Sequence, residues 1–321
     1  MTSGIPFYIA DVFTEEIFGG NQLAVFPAAA SLESRTMQAI ARELNLSETV
    51  FVLPPDDPAH TRRLRIFTPG SELPFAGHPT VGTAFVLASI GAVKLAGTTT
   101  SVVFEEGVGP VRVRIETEGG RPTYCGFTAA SLPEFGPPPP PLEEIAAVLS
   151  LRVDEIRTEG LFPRGASCGV PFFFVPLRDE DVLRRARPDL AVWTRSFSSW
   201  WAPQLYPFVV KHARGPDIRA RMFAPAFGIP EDPATGSAAA ALAGYLSAAQ
   251  PPGSGTLRWV VEQGIEMGRP SRMHVECDRS GDRILAVRVG GRSVMVAEAK
   301  LAVVPGGSPV QILADPRTTH S

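Results

Sequence analysis

Short stretches in which apolar and polar residues alternate run through most of the chain, and each predicts a half-buried strand. In the first half they read "PFYIADVF" from residue 6, "QLAVF" from residue 22, "ETVFVL" from residue 48 and "TRRLRIFTP" from residue 61. In the last of these Leu64 and Ile66 alternate with arginines, and "FGGN" is the turn between the first two. One amphipathic helix interrupts them. Leu32, Met37, Ile40, Ala41 and Leu44 fall on one side of it, with Ser31 expected as its cap and Asn45 as its stop. The second half opens with helix-like "LEEIAAVLS" and continues through strand patterns in "CGVPFFFVPL", "LYPFVVKH", "DIRARMFAP", "TLRWVVEQG", "SRMHVEC", "RILAVRVGG" and "RSVMVAEAKLAVV". Two stretches break the alternation. Residues 79–90 and 238–248 are apolar on every helical face, so each predicts a helix wrapped by the strands of its own half.

These two helices end a long internal repeat, "RIFTPGSELPFAGHPTVGTAFVLAS" against "RMFAPAFGIPEDPATGSAAAALAGYLS". Arg65, Phe67 and Pro69 match Arg221, Phe223 and Pro225; after a three-residue insertion, Glu72, Pro74 and Gly77 match Glu231, Pro233 and Gly236. A single long repeat of this kind indicates two duplicated domains related by a pseudo-two-fold axis, since a solenoid needs at least three short units. The stiff run "GPPPPP" at 136–141 marks the junction. We therefore expect a first domain over 1–135, with residues 305–321 as a candidate completing segment, and a second over 136–304. The length of 321 residues suits two units of about 150 each.

Charge and cysteine usage narrow the setting. With 30 basic and 33 acidic residues and no block of like charge, nothing points to nucleic acid or to an anionic membrane as partner. No apolar run reaches the roughly 20 residues that span a bilayer, and "MTSGIPFYIADVF" has no basic segment followed by an apolar stretch. Cys125, Cys168 and Cys277 lie far apart and form neither a disulfide framework nor a zinc pattern, so a reducing cytoplasm is expected.

The heads of the two apolar helices carry the candidate chemistry. Pro79 suits a first helical position and disfavours helical geometry in the residue before it, which makes His78 the expected cap. Ser237 is the expected cap of the second helix. A helix N-terminus has unpaired N–H groups and about half a positive charge, and Gly77 and Gly236 leave those groups open to a ligand. Two such ends converging on a cleft predict a site for a small carboxylate. The nearby groups able to move protons are His78, Asp232 and Glu48. Each also has an ordinary structural role: Glu48 as a solvated glutamate at a helix-to-strand junction, Asp232 as a turn former, His78 and Ser237 as caps.

Other chemistries lack their residues. His274, Glu276 and Asp278 share a strand face, but no second histidine stands at ligand spacing, so no metal is expected. His60, His212 and His320 are isolated. There is no dinucleotide fingerprint, Walker loop or nucleophile elbow. No cysteine occupies either helix-head loop, which disfavours a racemase working with two thiols.

Four motifs in order, "NLSETVFV", "RIFTPGSELPFAGHPTVGTA", "EDPATGSAAAALAGYL" and "EQGIEMGRPS", resemble the PhzF-like phenazine-biosynthesis isomerase family, which shares the diaminopimelate-epimerase fold. The similarity runs from "DVFT" to near the C-terminus. It implies an α+β protein of two pseudo-symmetric domains, each a curved, mostly antiparallel sheet wrapped around a central apolar helix. It further implies a homodimer that uses no cofactor or metal. Residue by residue, it makes Glu48 of the S-E-T motif the group that moves a proton between carbons of a cyclic substrate and places His78 and Asp232 in the same pocket. It assigns substrate binding to Ser47, Gly77, Gly236 and Ser237. Gly20-Asn21-Gln22 departs from the G-N-P of many relatives, a change expected to touch only the pocket wall. The expected activity is a cofactor-independent proton shift within a small cyclic carboxylate. The alternatives are racemisation or epimerisation at an alpha carbon, with Glu48 and Asp232 or His78 as opposed bases, and a non-catalytic carboxylate-binding protein.

Overall fold

The computed structural model describes residues 4–211 and 217–302. His212, His320 and the candidate completing segment 305–321 lie outside the described residues.

In the first half, strands β1 (Ile5–Val12) and β2 (Asn21–Phe26) precede helix α1 (Ser34–Leu44). Strands β3 (Glu48–Leu53), β4 (Arg62–Phe67) and β5 (Glu72–Leu73) then lead into α2 (Gly77–Ser89). Strands β6 (Thr99–Glu106), β7 (Gly109–Glu118), β8 (Arg121–Thr128) and β9 (Glu134–Phe135) follow, and the proline run connects them to α3 (Leu142–Val148). The second half continues with β10 (Arg164–Ser167), β11 (Pro171–Pro176), α4 (Glu180–Arg185), α5 (Leu190–Ser196), β12 (Gln204–Val210) and β13 (Ile218–Ala220). Helix α6 (Gly236–Ala248) precedes β14 (Gly255–Gln263), β15 (Ser271–Ser280), β16 (Arg283–Gly291) and β17 (Ser293–Leu301).

The pairing pattern shows the duplication strand by strand. β1–β2 is antiparallel and β2–β3 parallel, as are β10–β11 and β11–β12. β3–β4 is antiparallel and β4–β6 parallel, matched by β12–β13 and β13–β14. Antiparallel β6–β7–β8 corresponds to β14–β15–β16, and the two copies join edge to edge through β8 and β16. The matched residues of the repeat build matched local structure. Arg65 makes a two-point bond to Glu72 at 2.7 and 2.6 Å and lies over the Phe67 ring; Arg221 binds Glu231 at 2.8 and 2.7 Å and lies over Phe223. The last strand, β17, crosses back to pair antiparallel with β1, from Ile5 opposite Leu301 to Val12 opposite Ser293.

The protein is thus α+β, with each half a curved, mostly antiparallel sheet around one apolar helix. Every residue of α2 from Gly77 to Ala88 is buried, as is every residue of α6 from Ala238 to Ser247. Both helices contribute to one continuous core. The amphipathic α1 covers the outer face instead, packing Met37, Ile40 and Ala41 on Phe26 and Phe51, while α3, α4 and α5 do the same over the second half. Among the described residues no helix is long and apolar enough to cross a membrane.

Three expected caps are corrected. Ser31 does not start α1; Leu32 N–H closes a turn on Ala29, and Glu33 occupies the cap position. The other end agrees: Asn45 stops the helix in left-handed geometry, its N–H bonded to Ala41. α2 starts at Gly77 with Ala76 as cap, and α6 at Gly236 with Thr235 as cap. Backbone bonds from Thr80 to Ala76 and from Ala239 to Thr235 draw the glycines into the helices, so His78 and Ser237 sit within the first turns.

The two tips touch, which changes the reason for the glycines. A Cβ added to Gly77 would lie 2.9 Å from backbone atoms of Gly236 and Ser237, whereas one on Gly236 would lie 3.3 Å from Gly77 Cα. The glycines let two helix ends abut, rather than simply clearing a path for ligand. Gly77→Ala is expected to cost ~1–3 kcal/mol by overpacking against rigid backbone. Gly236→Ala, with a few tenths of an ångström more room, is expected to be near neutral once about 1 kcal/mol of helix propensity is credited. Urea midpoints of the two variants check the ordering.

Candidate active site

Glu48 opens β3, opposite Leu23 of the parallel strand β2, and His78 lies in the first turn of α2. Glu48 is buried, not solvated as its sequence position suggested, because the helix tip and the second half close over it. Its Oε2 stands 3.2 Å from His78 Nε2. The pair is misaligned for a hydrogen bond, so both atoms remain buried without a partner. Two unsatisfied polar atoms facing each other in a buried site make it a candidate place for a reacting group.

Asn21, the first residue of β2, ties this pair to the other half. Its Nδ2 donates to Asp232 Oδ1 at 2.8 Å and to the Ala234 carbonyl at 3.0 Å, and lies 3.1 Å from His78 Nδ1. Asp232 Oδ2 accepts from the Thr235 hydroxyl at 2.5 Å. Gln263 Nε2 donates to the Asp232 carbonyl at 2.7 Å and to Thr235 Oγ1 at 3.0 Å, and Gln263 Oε1 accepts from Tyr206 at 3.0 Å. Arg269 holds the turn before Asn21, bonding Asp11 and the carbonyls of Gly19 and Gly20. A buried chain of amides and hydroxyls therefore holds Asp232 of the second half and links it to His78 of the first.

Burial sets the protonation states. It raises the Glu48 pKa well above the usual glutamate range, and the nearby Asp232 charge raises it further. Asp232 is also raised by burial, against the opposing bonds from Thr235 and Asn21. Burial lowers His78 to about 3 despite a backbone bond to Gln22, so its imidazole is neutral at physiological pH. A neutral imidazole can accept or donate at Nε2 but brings no charge.

These groups line a cavity of about 270 Å³. Glu48, His78 and Asp232 form its polar end with the helix-tip residues Gly77, Gly236 and Ser237. Leu73, Pro74 and Phe75 of the first half face Val170, Phe172, Met222, Phe227 and Ile229 of the second across its apolar remainder. Among the described residues no lysine or arginine lines it, so a substrate carboxylate would rely on the N–H groups of the two tips.

Six of the seven expected site residues thus meet in one cavity. Ser47 does not line it; it is half-buried in the bend before β3. Asn21, Thr235, Gln263 and Tyr206 were missed, being uncharged; the Gly-Asn turn and the Glu-Gln-Gly motif were the available signals. Glu276 and Asp278 are engaged by Arg258 and Arg288 and belong to a surface ion-pair cluster. A further buried acid, Glu106, lies outside the cavity against Thr80, and burial raises its pKa to about 8.

The family model for phenazine biosynthesis-like proteins matches residues 10–299. An uncharacterised isomerase of Mesorhizobium japonicum is 41% identical, covering 92% of this chain and 98% of its own. The trans-2,3-dihydro-3-hydroxyanthranilate isomerase of Pseudomonas aeruginosa is 36% identical over the same shares. Among solved structures, a PhzF-family phenazine biosynthesis protein of Bacillus anthracis superposes with a TM-score of 0.82 at 26% identity, covering 94% of this chain and all of that one. A hydroxyproline epimerase of Agrobacterium vitis shares the fold at a TM-score of 0.57 and 13% identity.

The raised acids make stability depend on pH. A carboxyl whose folded pKa is raised contributes fully below its unfolded pKa, and that contribution is lost as pH rises through the folded value. Glu48→Gln removes this loss. It is expected to melt above wild type at neutral and alkaline pH, by about 1–2 °C per kcal/mol recovered, and level with wild type near pH 4. Glu106→Gln should show the same thermal gain while retaining turnover. Melting curves across pH check both.

Proposed function

This chain belongs to the PhzF family of isomerases, and on that premise we propose that it shifts a proton between two carbons of a small cyclic carboxylate, without a cofactor, through Glu48. The observation that carries the proposal is the unpaired Glu48 and His78 pair at the abutting helix tips. A general acid–base group works best when its pKa lies near the operating pH, and the upward shift of Glu48 moves it in that direction.

The chemistry follows from these positions. Ionised Glu48 takes a proton from the carbon adjacent to the substrate's unsaturated system, and the electron pair delocalises toward the substrate carboxylate. N–H groups at Gly77 and Gly236 hold that carboxylate and favour the growing negative charge. Protonated Glu48 then returns the proton at the far end of the conjugated system, leaving the enzyme unchanged. His78, held neutral, stands beside the Glu48 carboxyl with Nε2 free for the substrate, and the Asp232 charge, by raising the Glu48 pKa, favours uptake of the proton. The Pseudomonas relative is named for a dihydro-hydroxyanthranilate, and a cyclic amino acid of similar size is the substrate class proposed for this chain. Ser47, the residue before Glu48, is assigned to substrate binding, and the working form to a cytoplasmic homodimer of two-domain subunits.

Incubation in D2O with a panel of cyclic and amino carboxylic acids tests the assignment. Deuterium uptake with migration of a double bond is expected, and Glu48→Gln should lower its rate by about 10²–10⁴-fold. Exchange at one carbon with inversion would instead establish epimerisation, and a Glu48→Gln variant with full turnover would remove Glu48 from the mechanism.

A further inference from the structure

The two copies of the repeat differ most where the second carries its insertion. Two residues separate Pro69 from Glu72, but five separate Pro225 from Glu231. In the first copy the short turn is closed on Thr68, and its exposed residues Gly70 and Ser71 do not reach the cavity. In the second copy the added residues bring Phe227 and Ile229 to the cavity wall.

The inserted turn is well braced. Ala224 and Ile229 exchange both backbone bonds at 3.1 Å, Phe227 N–H bonds Ala224, and Gly228 adopts φ +70° to close a single 3-10 turn. Beneath it the Arg221–Glu231 pair clamps the neck, with Arg221 also donating to the carbonyls of Leu183, Arg184 and Ala186. On this rigid mount Phe227 is 47% exposed although it lines the cavity. An aromatic ring held half in solvent on a fixed turn loses apolar contact that a bound ligand would restore.

We propose that Phe227 is a specificity-determining residue, its ring receiving the flat, unsaturated face of a cyclic substrate whose carboxylate is held at the helix tips. The proposal rests on the proton-shift reading for the identity of the site, but it concerns which ring the site accepts. Glu48 and His78 act at the polar end; Phe227 selects at the other. A planar ring stacks on Phe227, while a puckered saturated ring meets it only at edges.

Calorimetric titration of wild type, Phe227→Ala and Phe227→Leu with anthranilate and with 2-aminocyclohexane-1-carboxylate tests this. Wild type should prefer anthranilate. Phe227→Ala should weaken anthranilate binding by about 3–10-fold and leave the saturated acid little changed. Phe227→Leu, which keeps apolar bulk without a ring face, should likewise leave the saturated acid little changed and should not restore anthranilate. Melting temperatures should match wild type because the ring packs little in the free protein. Unchanged affinities in Phe227→Ala, equal losses for both acids, or a wild type that binds neither acid would overturn the proposal. Binding with the expected selectivity but no deuterium exchange would instead overturn the proton-shift reading and leave this one standing.

Discussion

Two helix N-termini pressed tip to tip are the constraint on which the rest of the structure depends. Each end carries about half a positive charge, so the contact between Gly77 and Gly236 is electrostatically unfavourable in isolation. It persists because both helices are buried over nearly their whole length in a shared core, and that burial outweighs the repulsion. The repulsion also makes the junction a place where negative charge is favoured. Asp232 and Glu48 stand there within the protein, and a carboxylate ligand would satisfy the same field. A field that favours negative charge is therefore a by-product of how the two halves meet.

Duplication supplied the symmetry, and the chemistry comes from departures from it. The Arg65–Glu72 and Arg221–Glu231 pairs are equivalent, although the turns they brace differ in length. By contrast, His78 in one tip faces Ser237 in the other, Glu48 belongs only to the first half, and the Asp232–Thr235–Gln263 cluster only to the second. Asn21 crosses between them. The cavity is accordingly polar where these groups cluster and apolar over the remainder.

Much of this was legible from sequence because it depends on local order. The strands follow alternation, the buried helices follow their lack of any polar face, and the repeat follows matched residues at nearly constant spacing. Cap positions were misplaced because the glycines before His78 and Ser237 read as loop, whereas contact between the tips draws them into helix. The burial of Glu48 was invisible at a helix-to-strand junction, since the residues that share its cavity come from 20 and more positions away. The roles of Asn21 and Gln263 were equally hidden. An amide has no titration to betray it, and the partner of Asn21 lies 211 residues along the chain.

The return of β17 to β1 has a consequence for how the molecule is made. The first half is synthesised first, yet one edge of β1 has no neighbour until residues 293–301 have left the ribosome. An eight-residue strand edge left open through most of translation invites pairing with other chains. Completion of the first sheet therefore waits until the second half has been made, and a nascent chain cut short before β17 would present a sticky border even with every residue of the cavity already in hand.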